Sequence, residues 1–180
     1  GMTGMVSLGH AAFYGIGAYT AVLASGPEGG NLVVVLLLSM GAAAAYALCV
    51  GALSLRTRGE YFIMVTLAFA QMAYFVFHDT KVGGGSDGIY LDVRPFVGSF
   101  SLETRGALFY TVLAALVFTY VLLALVRRSR FGAALAGIRV NEQRMRAAGF
   151  HTYAYKLAAF VLAGALAGLA GFLLAARDGV

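Results

Sequence analysis

Residues 31–55 contain no Asp, Glu, Lys or Arg. At about 1.5 Å per helical residue, that stretch reaches about 37 Å, more than the ~30 Å hydrocarbon core of a bilayer. A chain placed in lipid must satisfy its own backbone polar groups, and a helix does so within one segment. Residues 31–55 therefore read as a transmembrane helix. Similar apolar stretches occupy 6–25, 61–77, 106–126 and 157–176. The fold class implied is all-α: one polytopic membrane domain over 1–180, with about five transmembrane helices. The composition agrees. The chain is 61% hydrophobic and only 12% charged, whereas soluble domains carry about 25% charged residues. Half that charge cannot cover a soluble surface of this size.

The charges that do occur mark the connections. Arg56 and Arg58 occupy the turn after the second span. Arg127, Arg128, Arg130, Arg139, Arg144, Arg146 and Lys156 follow the fourth. The connection over 78–105 is mixed, with Lys81, Arg94 and Arg105 against Asp79, Asp87, Asp92 and Glu103. Alternation of five spans puts the two base-rich connections on one side, and the positive-inside rule makes that side cytoplasmic. The 127–155 loop is then cytoplasmic and the 78–105 loop external. The net charge of +5 is a topology signal. A nucleic-acid partner is not implied, because the bases lie in short loops between apolar runs and not on a polar face.

Catalytic chemistry finds little support. Gly83-Gly84-Gly85-Ser86-Asp87-Gly88 fits the glycine spacing of a dinucleotide loop, but it follows an apolar span instead of a strand. The chain has no GxxxxGK[ST] phosphate loop, so any ATP hydrolysis belongs to a partner subunit. Ser7, His10 and Asp87 have nothing to bring them together as a triad. No residue is assigned to catalysis or metal binding, and no cofactor is expected. Cys49, the lone cysteine, reads as a small buried hydrophobe.

Three polar residues fall within spans: His10, Thr66 and Gln71. Two readings stand for each, a polar pathway lining or a hydrogen bond to a neighbouring helix. Small residues punctuate the last span as Gly164-Ala165-Leu166-Ala167-Gly168, with Gly171 beyond. That spacing permits close backbone approach between helices.

Within the basic loop, 133–148 reads as a short cytoplasmic helix. Leu135, Ile138, Met145 and Ala148 share one face, and Arg139, Glu142 and Arg146 form a charge row. Gly149 stands where a C′ residue ends a helix. Such a helix either lies on anionic lipid or docks a soluble subunit.

Four ordered motifs carry a resemblance. They are Ser7-Leu8-Gly9-His10-Ala11-Ala12-Phe13 with Gly15-Ile16-Gly17-Ala18-Tyr19; Leu55-Arg56-Thr57-Arg58-Gly59 with Tyr61-Phe62 and Val65-Thr66-Leu67-Ala68-Phe69; Gly84-Gly85-Ser86-Asp87-Gly88-Ile89; and Asn141-Glu142-Gln143-Arg144-Met145-Arg146-Ala147-Ala148-Gly149. Over nearly its whole length the chain resembles the permease family of branched-chain amino-acid ABC transporters, LivM type. The related permeases for urea and short-chain amides share similar motifs. The resemblance implies a bacterial inner-membrane location. It implies a second homologous permease subunit, two ATP-binding cassette subunits and a periplasmic amino-acid-binding protein as partners, besides membrane lipid. It makes the 133–149 helix a coupling helix, with Glu142, Met145, Ala148 and Gly149 as docking positions. In this chain Gln-Arg-Met-Arg separates Glu142 from the Ala-Ala pair. Such permeases have more spans than five, so the chain is expected to be a piece of a larger one. The rival reading is a non-transport membrane scaffold, which would bind no ATPase.

Overall fold

A computed structural model of the chain describes residues 7–25, 30–57, 59–79, 96–97, 100–101 and 105–178. Seven helices follow in order: α1 His10–Ser25, α2 Leu32–Ser54, α3 Glu60–Asp79, α4 Arg105–Arg128, α5 Arg130–Val140, α6 Glu142–Ala147 and α7 Thr152–Asp178. Between α3 and α4, Phe96–Val97 pairs antiparallel with Phe100–Ser101. The rest of the 78–105 connection, the Gly83–Gly88 run with it, lies outside the described residues, as does Arg58.

Four helices, α2, α3, α4 and α7, are long and apolar enough to cross a membrane. The first apolar stretch forms a helix of 16 residues, about 24 Å long and shorter than the hydrocarbon core. Its start explains the length. Gly9 lies against the carbonyl of Thr66, six residues into α3. His10 packs its ring 6.3 Å from that of Phe160, which is eight residues into α7. The N-terminus of α1 is thus roughly 10 Å along the bundle instead of at its end.

Helices α1, α2 and α7 form the packed centre. Burial of apolar area gives little driving force between helices in lipid, so close packing of small side chains matters more. A Cβ on Gly17 would come within 2.5 Å of the Gly168 backbone, and one on Gly168 within 2.6 Å of Ala43. Gly164 meets Ala47, and Gly171 meets the Tyr14 backbone. The glycine-spaced face of α7 therefore contacts α2 and α1 together. Two buried clusters flank these contacts. One gathers Ala18, Val22, Val35 and Phe172, the other Phe13, Ala43, Val50, Phe62 and Phe160.

Helix α3 joins through specific contacts. The Tyr46 hydroxyl donates to the Phe69 carbonyl at 2.7 Å, and Tyr19 stacks on Phe77 at 4.5 Å. No residue of α4 from 106 to 128 is buried. At the end of the bundle, the Tyr153 hydroxyl donates to the Ala52 carbonyl at 2.9 Å, while Gly51 sits against Leu157 and Phe160. The end of α2 thus meets the start of α7, and the two base-rich connections share one end.

Candidate functional site

The base-rich end is built around the stretch between α4 and α7. Ser129 turns the chain: its Oγ accepts from the Gly132 amide at 3.3 Å. A side chain on Gly132 would strike the Val126 and Arg127 carbonyls, which allows α5 to fold tightly back from α4. Leu135 and Ile138 of α5 are buried, as their spacing implies.

The single helix expected over 133–148 is two helices. Asn141 breaks it, with extended φ −155° and ψ 101°. Its side chain accepts from the Arg144 amide at 2.9 Å, a helix N-cap that satisfies one unpaired donor. The apolar periodicity hides the break because Met145 still reaches back to α5. A Cβ on Gly137 would lie 2.8 Å from the Met145 sulfur, so glycine there leaves room for the thioether. At the other end Gly149 adopts φ +87°. Its amide donates to the Arg146 carbonyl and that of Phe150 to the Met145 carbonyl. That pair of bonds is a Schellman motif, and it matches the C′ role expected of Gly149.

The charge row is partly realised. Arg146 donates to Glu142 Oε1 at 2.6 Å, while Arg139 is exposed and outside this cluster. Two further partners come from α7. The Thr152 hydroxyl donates to the same oxygen at 3.1 Å, and the Lys156 ammonium donates to Oε2 at 2.5 Å. Thr152 is 2% exposed and also accepts from Arg146 Nε at 3.0 Å. Burial pushes the Glu142 carboxyl up. The bond and charge of Lys156, with the Thr152 and Arg146 bonds, outweigh burial and hold it below the usual glutamate range.

The four positions singled out in the loop divide by direction. Glu142 and Met145 are half-buried against α7 and α5, while Ala148 and Gly149 are exposed. Gln143, Arg144 and Ala147 share the exposed side with them, and Val140 beside them is 85% exposed. No spacing rule pointed to Val140. Its one sequence signal is an apolar residue placed between Arg139 and Asn141.

The three polar span residues are not brought together. Thr66 is buried, its hydroxyl donating to the Ile63 carbonyl at 2.9 Å, and it packs on Gly9. His10 is exposed, with Phe13 and Phe160 edge-on to its ring at 5.6 and 6.3 Å. Gln71 lines a groove of about 410 Å³ between α1 and α3. Ala11, Ala12, Gly15 and Ala70 give that groove its width, and Tyr19, Tyr74 and His78 also line it. Among the described residues, no group of His, Cys, Asp and Glu is placed to hold a metal.

Apolar helices packed through glycines, with a base-rich helical loop at one end, define a polytopic membrane protein. The sequence pattern of the family described as "Branched-chain amino acid transport system / permease component" matches residues 1–180, and the chain belongs to that family. It is similar to two proteins named high-affinity branched-chain amino acid transport system permease protein LivM. One is from Salmonella typhimurium strain LT2 and the other from Escherichia coli strain K12. Each is 30% identical over 203 residues, covering 99% of this chain and 48% of the relative. The chain thus spans about half the length of the curated relatives it matches. No solved structure matches it.

Proposed function

We propose that the chain is part of the membrane-spanning unit of an ATP-driven importer for branched-chain or other hydrophobic amino acids in a bacterial inner membrane. A second, similar permease chain would complete the pathway, and a periplasmic binding protein would deliver the amino acid. Two ATP-binding cassette subunits would sit at the base-rich, cytoplasmic end and hydrolyse ATP there.

The observation that carries the reading is the form of α6. It is short, capped at both ends, free of buried residues and flanked by the exposed Val140. A segment with no buried residue, held in one conformation by caps, is suited to receive a partner. Ala148 and Gly149 belong to the docking surface, while Met145 and Glu142 hold α6 from behind. In the membrane, Gln71 supplies a polar contact in an otherwise largely apolar groove, suited to an amino acid with an aliphatic side chain. His10, exposed where α1 begins inside the bundle, would line the approach, and the buried Thr66 would hold the start of α1 in place through Gly9. Closure of the ATPase pair would move α6 and tilt α4 and α7 between inward- and outward-facing states.

The test is reconstitution of the full-length permease with its partner subunits in proteoliposomes. ATP-dependent uptake of radiolabelled leucine, abolished when the ATP-binding subunits are left out, is the expected result. A full-length permease that retains no ATP-binding subunit and takes up no leucine would support the scaffold reading instead.

A further inference from the structure

Glu142 is the sole acidic residue between Glu103 and Asp178, in a stretch that carries Arg105, Arg127, Arg128, Arg130, Arg139, Arg144, Arg146, Lys156 and Arg177. Its two oxygens accept from three groups. Arg146 lies on α6 itself, whereas Thr152 and Lys156 belong to the first turns of α7. The carboxylate is half-buried, with 27% of its side chain exposed.

The backbone on either side of α6 cannot do this work. Asn141 separates α6 from α5 by one extended residue, and Ala148, Gly149, Phe150 and His151 separate it from α7. Both joints are non-helical, and no residue of α6 is buried. A push on α6 would be absorbed by rotation at these joints unless side chains tie it down. Charge-assisted hydrogen bonds are the strong candidates, and those that cross from α6 to α7 all converge on Glu142 or on Thr152 beside it.

We infer that Glu142 acts within its own chain as a clamp that locks α6 to the base of α7, so that displacement of α6 is delivered to α7. It is a positioning residue. The glycine contacts of α7 with α1 and α2 would then carry the displacement into the packed centre. The inference rests on the coupling reading for its functional meaning, but the clamp itself is a property of this chain.

The experiment uses the full-length permease, cysteine-free except for spin labels at Gln143 and Ala154, both exposed. The distance distribution between the labels is recorded by pulsed electron resonance, with no other subunit present. A narrow distribution is expected for the parent, and a broad one for Glu142→Gln and for Lys156→Met. The exchange Glu142→Lys with Lys156→Glu is expected to narrow it again. In the assembled transporter, Glu142→Gln is expected to retain its ATP-binding subunits while uptake per ATP falls about tenfold, the order expected from losing one charge-assisted bond.

An unchanged narrow distribution in Glu142→Gln would overturn the clamp. So would loss of the ATP-binding subunits from Glu142→Gln, which would make the carboxylate a contact across the interface. If the parent permease retains no ATP-binding subunit, the coupling reading fails on its own and the spin-label result still decides the clamp.

Discussion

At the scale of single residues, two positions carry most of what can be tested. Gly149 stands at φ +87° with nothing within 4 Å of a Cβ placed there, so the cost of a side chain is backbone strain, not collision. For a β-branched residue that cost is of order 1–3 kcal/mol. Gly149→Asn should be tolerated, since asparagine enters the left-handed region most readily among the other residues. Gly149→Val should lose leucine uptake while ATP hydrolysis by the bound subunits continues. Equal uptake in the two variants would show that the turn does not matter. Glu142 makes the second case. Its carboxyl titrates below the ordinary value near 4.5, so the folded state holds the ionised form more firmly than the unfolded chain does. The contribution is fully present above that value and is lost as pH falls through the lower, folded one. Protection of α6 amides against hydrogen exchange, corrected for intrinsic rates, is expected to be flat above about pH 4.5 and to fall below it. In Glu142→Gln that step should be absent. A step of the same size in Glu142→Gln would assign it to another group.

At the scale of elements, the structure shows which sequence signals survive folding. The spans were legible because long uncharged runs have few other fates, although α3, α4 and α7 extend beyond their apolar runs. The length of α1 was not legible, because 6–25 is as apolar as a true span. Its short form depends on where Gly9 and His10 meet α3 and α7. The loop helix was legible as helix but not as two helices. Leu135, Ile138 and Met145 keep a helical period across the break, and Asn141 ends one helix by capping the next. The role of Gly149 was legible because a glycine after a periodic run has one common use. Lys156 and Thr152 as partners of Glu142 were not, since they lie beyond a turn at separations that no helical rule connects. The glycine spacing in α7 was legible as a packing signal, but its partners required the structure. It yields a prediction of its own. A side chain on Gly168 would strike Ala43 and the Ser39 carbonyl, so Gly168→Leu must part α7 from α2. Overpacking usually costs about 1–3 kcal/mol, and with backbone as the obstacle the upper end is expected. The full-length variant should unfold at a lower temperature in detergent, whereas Gly41→Leu, at a position with nothing within 4 Å, should not. Equal melting temperatures would contradict the packing described for α7.

At the scale of the whole molecule, the base-rich end and the glycine-packed centre belong to one mechanical path: α6, the Glu142 bonds, α7, then α1 and α2. Helix α4 has no buried residue over 106–128, and it meets α5 through the turn at Ser129 and touches α7. The path is useful to a transporter only if something outside the chain pushes on α6. The most direct measurement is therefore cross-linking in the full-length, assembled transporter. A cysteine introduced by Ala147→Cys, on the exposed side of α6, is treated with a short bifunctional reagent and compared with Ala158→Cys, an exposed position within the α7 span. Position 147 is expected to join to an ATP-binding subunit and position 158 is not. An intact complex in which position 147 fails to cross-link to that subunit would contradict docking at α6.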